Sequence, residues 1–248
     1  MPLLDLVTEA TAGGVDAIYL RDAGGSIDDL ALTTRTLRAQ IGDAVALLVN
    51  GGPPAALATG SGLHLRERDM TPAAARAALG PNVPIGRSVH SPDGAVAATG
   101  ADYVLAGHVY QSPSKPGLPP LGPARLARIV AVAPCPVIAI GGITPDRVPE
   151  VIQAGAHGVA VIGAIVEAED PRAAARALRV AVDRALQHQE EVSMSAEIIG
   201  ESETSALAIV VNGKPLSVFA GATVHDFLAG KRMTDTECGC RLWGWHAP

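Results

Sequence analysis

The chain has 248 residues, 48% of them apolar but only 3% aromatic, and a formal net charge of −6. That length admits one large α/β domain, or a domain of about 190 residues with a small appendage, and the acidic balance, with three lysines and no basic run, argues against nucleic acid as a partner. No apolar stretch reaches the roughly 18 residues of a membrane span, no leader pattern follows Met1, and Cys135, Cys238 and Cys240 form neither a CxxC pair nor a disulfide framework; a cytoplasmic protein is the expectation.

In chain order, helix-like stretches alternate with short apolar runs. Helices are expected over Leu3–Ala12, Ile27–Ile41, Pro54–Thr59, Pro72–Leu79, Pro92–Thr99, Gly122–Val132, Pro145–Ala154 and Pro171–Gln189. Several open on Pro or Asp, as in Thr144-Pro145-Asp146 and Asp170-Pro171, the chemistry of a helix start. Strands are expected over Ala17–Leu20, Val45–Val49, Gly62–Leu65, Pro84–Ser88, Tyr103–Ala106, Pro136–Ile140 and Gly158–Ile162. Such alternation makes a parallel sheet with helical crossovers. Eight helices at this length favour a (β/α)8 TIM barrel over a doubly wound sheet. Only seven strands match them, so the barrel is expected to lack its first strand, which would precede Leu3.

The polar stretch 190–205 reads as a linker. Beyond it, Val210-Val211 and Leu216–Phe219 read as strands around an Asn212-Gly213 hairpin turn, and Ala222–Leu228 as a helix start with Thr223 as its cap. The expected organisation is therefore a barrel over 1–189, a linker over 190–205 and a separate small unit over 206–248.

In a parallel sheet, residues leaving the C-terminal strand ends face the mouth where ligands bind. His108 does so directly after Gly107, and imidazole can exchange a proton near neutral pH. Lys115 follows in a Ser/Pro/Gly-rich loop, where a cation could meet a phosphate. Gly141-Gly142 and Ile162-Gly163 close the last two strands, the place where barrels of this kind hold phosphate on backbone N–H groups. Arg21 and Asn50 end the first two strands, and Asp69 and Ser88 are further candidates. His64 reads as a hydrogen-bonded wall residue and His90 as structural. The histidines show no i, i+4 pair and no carboxylate cluster, so no metal site is expected.

From Leu3 to about Ala185 these pieces resemble the thiamine phosphate synthase/TenI superfamily. The resemblance rests on Leu48-Val49-Asn50-Gly51, Ile85-Gly86-Arg87-Ser88-Val89-His90-Ser91, Ala101-Asp102-Tyr103-Val104 with Gly107-His108-Val109-Tyr110, Ser114-Lys115, and Val137 through Arg147. It is nearest the TenI branch, the thiazole tautomerases. Synthases of this family typically carry Asn-Asp where this chain has Asn50-Gly51, Gly-Pro where it has Gly107-His108, and Lys where it has Ala23. The missing Asp helps hold the magnesium of a pyrophosphate in that branch. Gly163 stands where both branches usually carry Ser. The resemblance implies His108 as the proton shuttle of a tautomerase that makes a thiazole carboxylate phosphate aromatic. Arg21, Asn50, Lys115, Gly141, Gly142, Ile162 and Gly163 would bind substrate and phosphate, with no cofactor.

Two alternatives stay open. One is thiamine phosphate synthase, coupling hydroxymethylpyrimidine pyrophosphate with thiazole phosphate, with magnesium at Asp69. The other is a non-catalytic thiazole phosphate-binding or regulatory relic. The partner in each case is a small molecule, not a nucleic acid or membrane; a homo-oligomer is left open. Residues Leu207 to Gly230 resemble the start of ThiS, the ubiquitin-like sulfur carrier of thiazole synthesis. This implies a truncated β-grasp tail and a link to the thiazole synthase machinery. Because the chain ends Trp245-His246-Ala247-Pro248 and not Gly-Gly, carrier function is not expected, and a frameshift after about Thr236 is.

Overall fold

The computed structural model describes residues 1–21, 26–113, 115–198, 207–211, 214–218 and 233–234, with side chains as far as Gln189. Seven strands, β1 (Ala17–Leu20), β2 (Ala46–Val49), β3 (Gly62–Leu65), β4 (Ile85–Val89), β5 (Tyr103–Gly107), β6 (Val137–Ile140) and β7 (Gly158–Ala160), form one parallel sheet in sequence order. The strands match the expected runs to within a residue or two. Pro84 and Pro136 fall just outside the ladder because proline has no N–H to give. Their carbonyls still accept, from Leu63 N at 2.7 Å and Val104 N at 2.9 Å.

Helices α1 (Leu3–Ala12), α2 (Ile27–Ile41), α3 (Pro53–Thr59), α4 (Pro72–Leu79), α5 (Pro92–Val96), α6 (Gly122–Val132) and α7 (Val148–Gln153) flank these strands, with a 3-10 turn over Pro145–Arg147. Side-chain oxygens start several of them. Ser26 forms a reciprocal capping box with Asp29, Thr71 accepts from Ala74 N, and Ser91 from Gly94 N. A short α8 (Gly163–Val166) follows β7 where the sequence reading had strand to Ile162, and α9 (Pro171–Ile198) runs into the stretch read as linker.

Strand alternation sorts the side chains. Val49, Leu63, Leu65 and Ile85 pack outward on Leu30, Ala55, Ala56 and Ala75. Val104, Ala106, Val137 and Ala139 do the same on Leu126, Ile129, Val151, Ile152 and Leu178. The many alanines let helices sit close to the sheet, which is how a chain with few aromatics fills its core. The opposite face holds Ala17, Tyr19, Leu48, Tyr103, Leu105, Ile138 and Ala160 in one cluster. First-strand and last-strand residues share it, so the sheet is curled. Among the described residues β1 and β7 do not pair. The ring closes in the helix layer instead, where α1 meets α9 through Glu9–Arg172 at 2.8 Å and Gly13 lies against Arg172 and Ala175. The structure is thus a seven-stranded curled half-barrel, with the seven parallel strands expected of a barrel lacking its first strand.

A second sheet, β8 (Leu207–Val211), β9 (Lys214–Val218) and β10 (Met233–Thr234), is antiparallel in the order β10-β9-β8. The expected turn at Asn212-Gly213 and the helix at Ala222–Leu228 lie outside the described residues. No described helix is long and apolar enough to cross a membrane.

Candidate active site at the C-terminal strand ends

Below the rim, the interior is polar where a small barrel must still be filled. His64 on β3 is buried and bonds the Tyr103 hydroxyl through Nδ1 at 2.8 Å and the Ser88 hydroxyl through Nε2 at 2.9 Å. The Tyr19 ring lies over it at 4.5 Å between centroids. Burial lowers the pKa of His64 to about 4 against an opposing pull from Asp69. This imidazole is neutral at pH 7 and serves as a wall. Gly86, its neighbour across the ladder, has no Cβ because the Tyr103 ring takes that space. Ser88, a candidate ligand residue, spends its hydroxyl on His64.

Each strand delivers a residue to the rim: Arg21 after β1, Asn50 after β2, Arg66 after β3, His90 after β4, His108 after β5 and Gly141 after β6. Arg21 and Arg66 both act on Tyr19. Burial raises the pKa of that phenol, the two guanidinium groups pull it down, and Asp69 pushes it up. The three charged groups therefore lie near enough to Tyr19 to act on its phenol through space.

Asp69 is held by the chain that carries it. Its Oδ2 accepts from Arg66 N at 2.8 Å, and its two oxygens accept from Arg66 Nε at 3.1 and 3.2 Å. Burial works to raise the pKa of Asp69, but Arg66 and Arg87 outweigh it and hold the carboxyl below the usual range. Arg87, only 7% exposed, clamps the same loop from beneath through the carbonyls of Glu67 at 2.6 Å and Met70 at 3.3 Å. Glu67 pairs with His90 Nδ1 at 2.8 Å, a structural role for that histidine. Arg66 was missed from sequence, although it stands two residues beyond inward-facing His64 and so shares its side of the sheet.

His108 sits half-buried, with Nε2 3.3 Å from the Leu118 carbonyl. The chain after it continues along β6, with Val109 N on Ile140 O at 2.8 Å and Tyr110 N on Gly141 O at 2.9 Å. The following loop returns to the same place, with Leu121 N on His108 O and Gly122 N on Val109 O. This packing explains Gly141 and Gly142. Both have positive φ (+103° and +65°), and a Cβ would run into His108 at the first and into Tyr110 and the Gln111 carbonyl at the second. Glycine is thus required here by the His108–Gln111 segment packed against the two Cβ positions, a reason separate from the expected approach of an oxyanion to the amides. Arg147 fixes the turn by donating to Gly142 O at 2.6 Å while lying over the Tyr110 ring, whose hydroxyl bonds Glu150. Ile162 is 60% exposed and precedes Gly163 at the start of α8. Lys115 is exposed in the loop, and Ser114 lies outside the described residues.

A magnesium site built from protein side chains alone does not fit this residue set. Among the described residues no group of three His, Cys, Asp or Glu could hold a metal. Asp69 is engaged by Arg66, Glu67 by His90, and Gly51 (φ +104°) offers no side chain beside Asn50.

Comparison with known proteins agrees with the fold. The profile for thiamine monophosphate synthase matches residues 1–165. The chain is 41% identical over 190 residues to a thiamine-phosphate synthase of Haloquadratum walsbyi, covering 73% of this chain and 84% of that protein. It is 40% identical over 198 residues to the thiamine-phosphate synthase of Mycobacterium bovis, covering 74% and 89%. Among solved structures it is similar to a thiamine phosphate pyrophosphorylase from Pyrococcus furiosus, with TM-score 0.68, 35% identity, and coverage of 75% of this chain and 91% of the other.

These findings overturn the tautomerase reading, and with it the isomerase assignment that rested on His108. Relatives at this identity, spanning nearly their whole length, carry the synthase name. The departures at Gly51, His108 and Ala23, on which the tautomerase reading rested, do not outweigh that likeness. By both the profile match and these relatives, the chain belongs to the thiamine monophosphate synthase family.

Proposed function

We propose that the chain is a thiamine-phosphate synthase, a transferase joining hydroxymethylpyrimidine pyrophosphate to thiazole phosphate. The observation that carries this is identity of 40–41% to proteins of that name over 84–89% of their length. In this reaction the thiazole nitrogen forms a bond to the pyrimidine methylene carbon as the bond from that carbon to pyrophosphate oxygen breaks. The protein must hold two substrates in line and neutralise the charge gathering on the leaving group. Arg21 and Lys115 supply positive charge for that, and the N–H groups of Gly141, Gly142 and Gly163 are the proposed seat of the thiazole phosphate. Asn50 orients a substrate at the β2 end. His108 lines the mouth and steadies the loop through Leu118, with no proton to move.

In this reading the half-barrel is a (β/α)8 barrel without its first strand, residues 1–189 carry the reaction, and the partial ThiS-like segment 206–248 takes no part. The test is product analysis by chromatography with the full chain and both substrates. Thiamin phosphate should form, and Arg21→Ala should lower kcat/KM by about 10²–10³-fold, the usual cost of removing one charge-stabilising donor. Thiazole phosphate that binds without any product would instead favour the non-catalytic reading.

A further inference from the structure

We propose that Arg66 takes the position of a divalent cation at this rim, so that the site binds a diphosphate without metal. The inference rests on the synthase reading for the identity of the anion, and on the Arg66–Asp69 geometry for the rest. The Arg66 guanidinium meets both oxygens of Asp69, with Nη2 3.0 Å from Oδ1 in addition to the Nε contacts, and the Arg66 N–H holds Oδ2 as well. A cation approaching Asp69 would meet a fixed positive charge about 3 Å from its ligand atoms. The other acid on this loop, Glu67, is taken by His90. The next strand end offers Gly51, where Ala55 lies 3.1 Å from the place a Cβ would occupy.

The cation itself is presented outward. The Arg66 side chain is 67% exposed. Guanidinium carries five N–H donors in a planar fork. The Nε/Nη2 edge faces Asp69, so Nη1 takes no part in that ion pair, and Arg21 stands close enough to act on the same Tyr19 phenol. Two guanidinium groups at this rim can meet the charge of a phosphoanhydride directly, by the bidentate contacts arginine makes with phosphate. Asp69 is then a positioning residue: it fixes the plane of Arg66 and ligates nothing.

The probe is inorganic pyrophosphate, titrated into the full chain by calorimetry, once in EDTA and once in magnesium chloride with free pyrophosphate accounted for. Affinity in EDTA should stay within about threefold of that in magnesium. Arg66→Ala should weaken it about tenfold or more, Arg66→Lys less, and Asp69→Asn less than Arg66→Ala, all with unchanged circular dichroism. Binding that appears only with magnesium, or that Asp69→Asn abolishes while Arg66→Ala spares it, overturns the inference. So does the absence of binding in both buffers. The two proposals fail separately. Metal-free, Arg66-dependent binding without coupling would sink the synthase reading alone. Coupling with binding only in magnesium would sink the role of Arg66 alone.

Discussion

Replacing His64 by Gln tests the interior wall and the sign of its protonation together. Near pH 7.5 the variant disturbs hydrogen bonds to Tyr103 and Ser88 at a buried site. At about 1 kcal/mol net for each, it should lose about 2 kcal/mol, or about 4–8 °C in Tm for a folded unit of this size. Acid changes the comparison. The folded wild type keeps His64 neutral down to about pH 4, whereas the unfolded chain binds a proton near 6.5. The depressed pKa therefore gives stability that is complete above 6.5 and drains away as pH falls toward 4. The linkage relation gives a loss of about 2 kcal/mol by pH 5 and about 3 kcal/mol by pH 4. Gln does not titrate, so the variant escapes this loss and the two proteins should be nearly equally stable at about pH 5. His157, also lowered by burial, and Asp102, raised by burial against Arg76, act alike in both proteins and cancel. The assay is urea unfolding at pH 7.5, 6 and 5, read as midpoints at constant m. A gap that stays constant from pH 7.5 to 5 would refute the account of a neutral, buried His64.

Three other outcomes follow from the packing. Gly141→Ala, at φ +103° and against His108, should cost about 2 kcal/mol or more and displace the loop between His108 and Gly122, seen as lost protection of the Leu121 and Gly122 amides in hydrogen exchange. Arg87→Met should leave the carbonyls of Glu67 and Met70 without their buried donor, costing about 1–3 kcal/mol and speeding amide exchange at Asp69. Gly86→Ala should push the Tyr103 ring off His64, costing about 1–3 kcal/mol by overpacking, and Tyr103→Phe in the same background should recover part of that.

The strands were legible because fully buried parallel strands read as short continuous apolar runs. Ala17–Leu20 and Gly62–Leu65 came out to the residue. Helix starts were legible from proline in the first turn, as at Pro72 and Pro92, whereas the caps at Ser26, Thr71 and Ser91 were not singled out from sequence. Polar composition misled at residues 190–198. That stretch has no glycine or proline, and its Glu, Met and Ala residues let α9 continue. At the rim, alternation placed Arg21, Asn50 and His108 at strand ends but could not show what each would touch. The ion pair between Arg66 and Asp69 depends on how the loop after β3 folds back, and that is set by Arg87 from the next strand. Likewise nothing in the segment of Gly141 and Gly142 reveals that His108 and Tyr110 press against them, so this packing reason for glycine was not legible there.

The chemistry itself is tested most directly by a phosphorus NMR time course of the full chain with hydroxymethylpyrimidine pyrophosphate and thiazole phosphate. The account predicts that free pyrophosphate grows in step with thiamin phosphate, one for one, as the thiazole phosphate resonance declines. Loss of the thiazole resonance without released pyrophosphate, or spectra that never change, would contradict it.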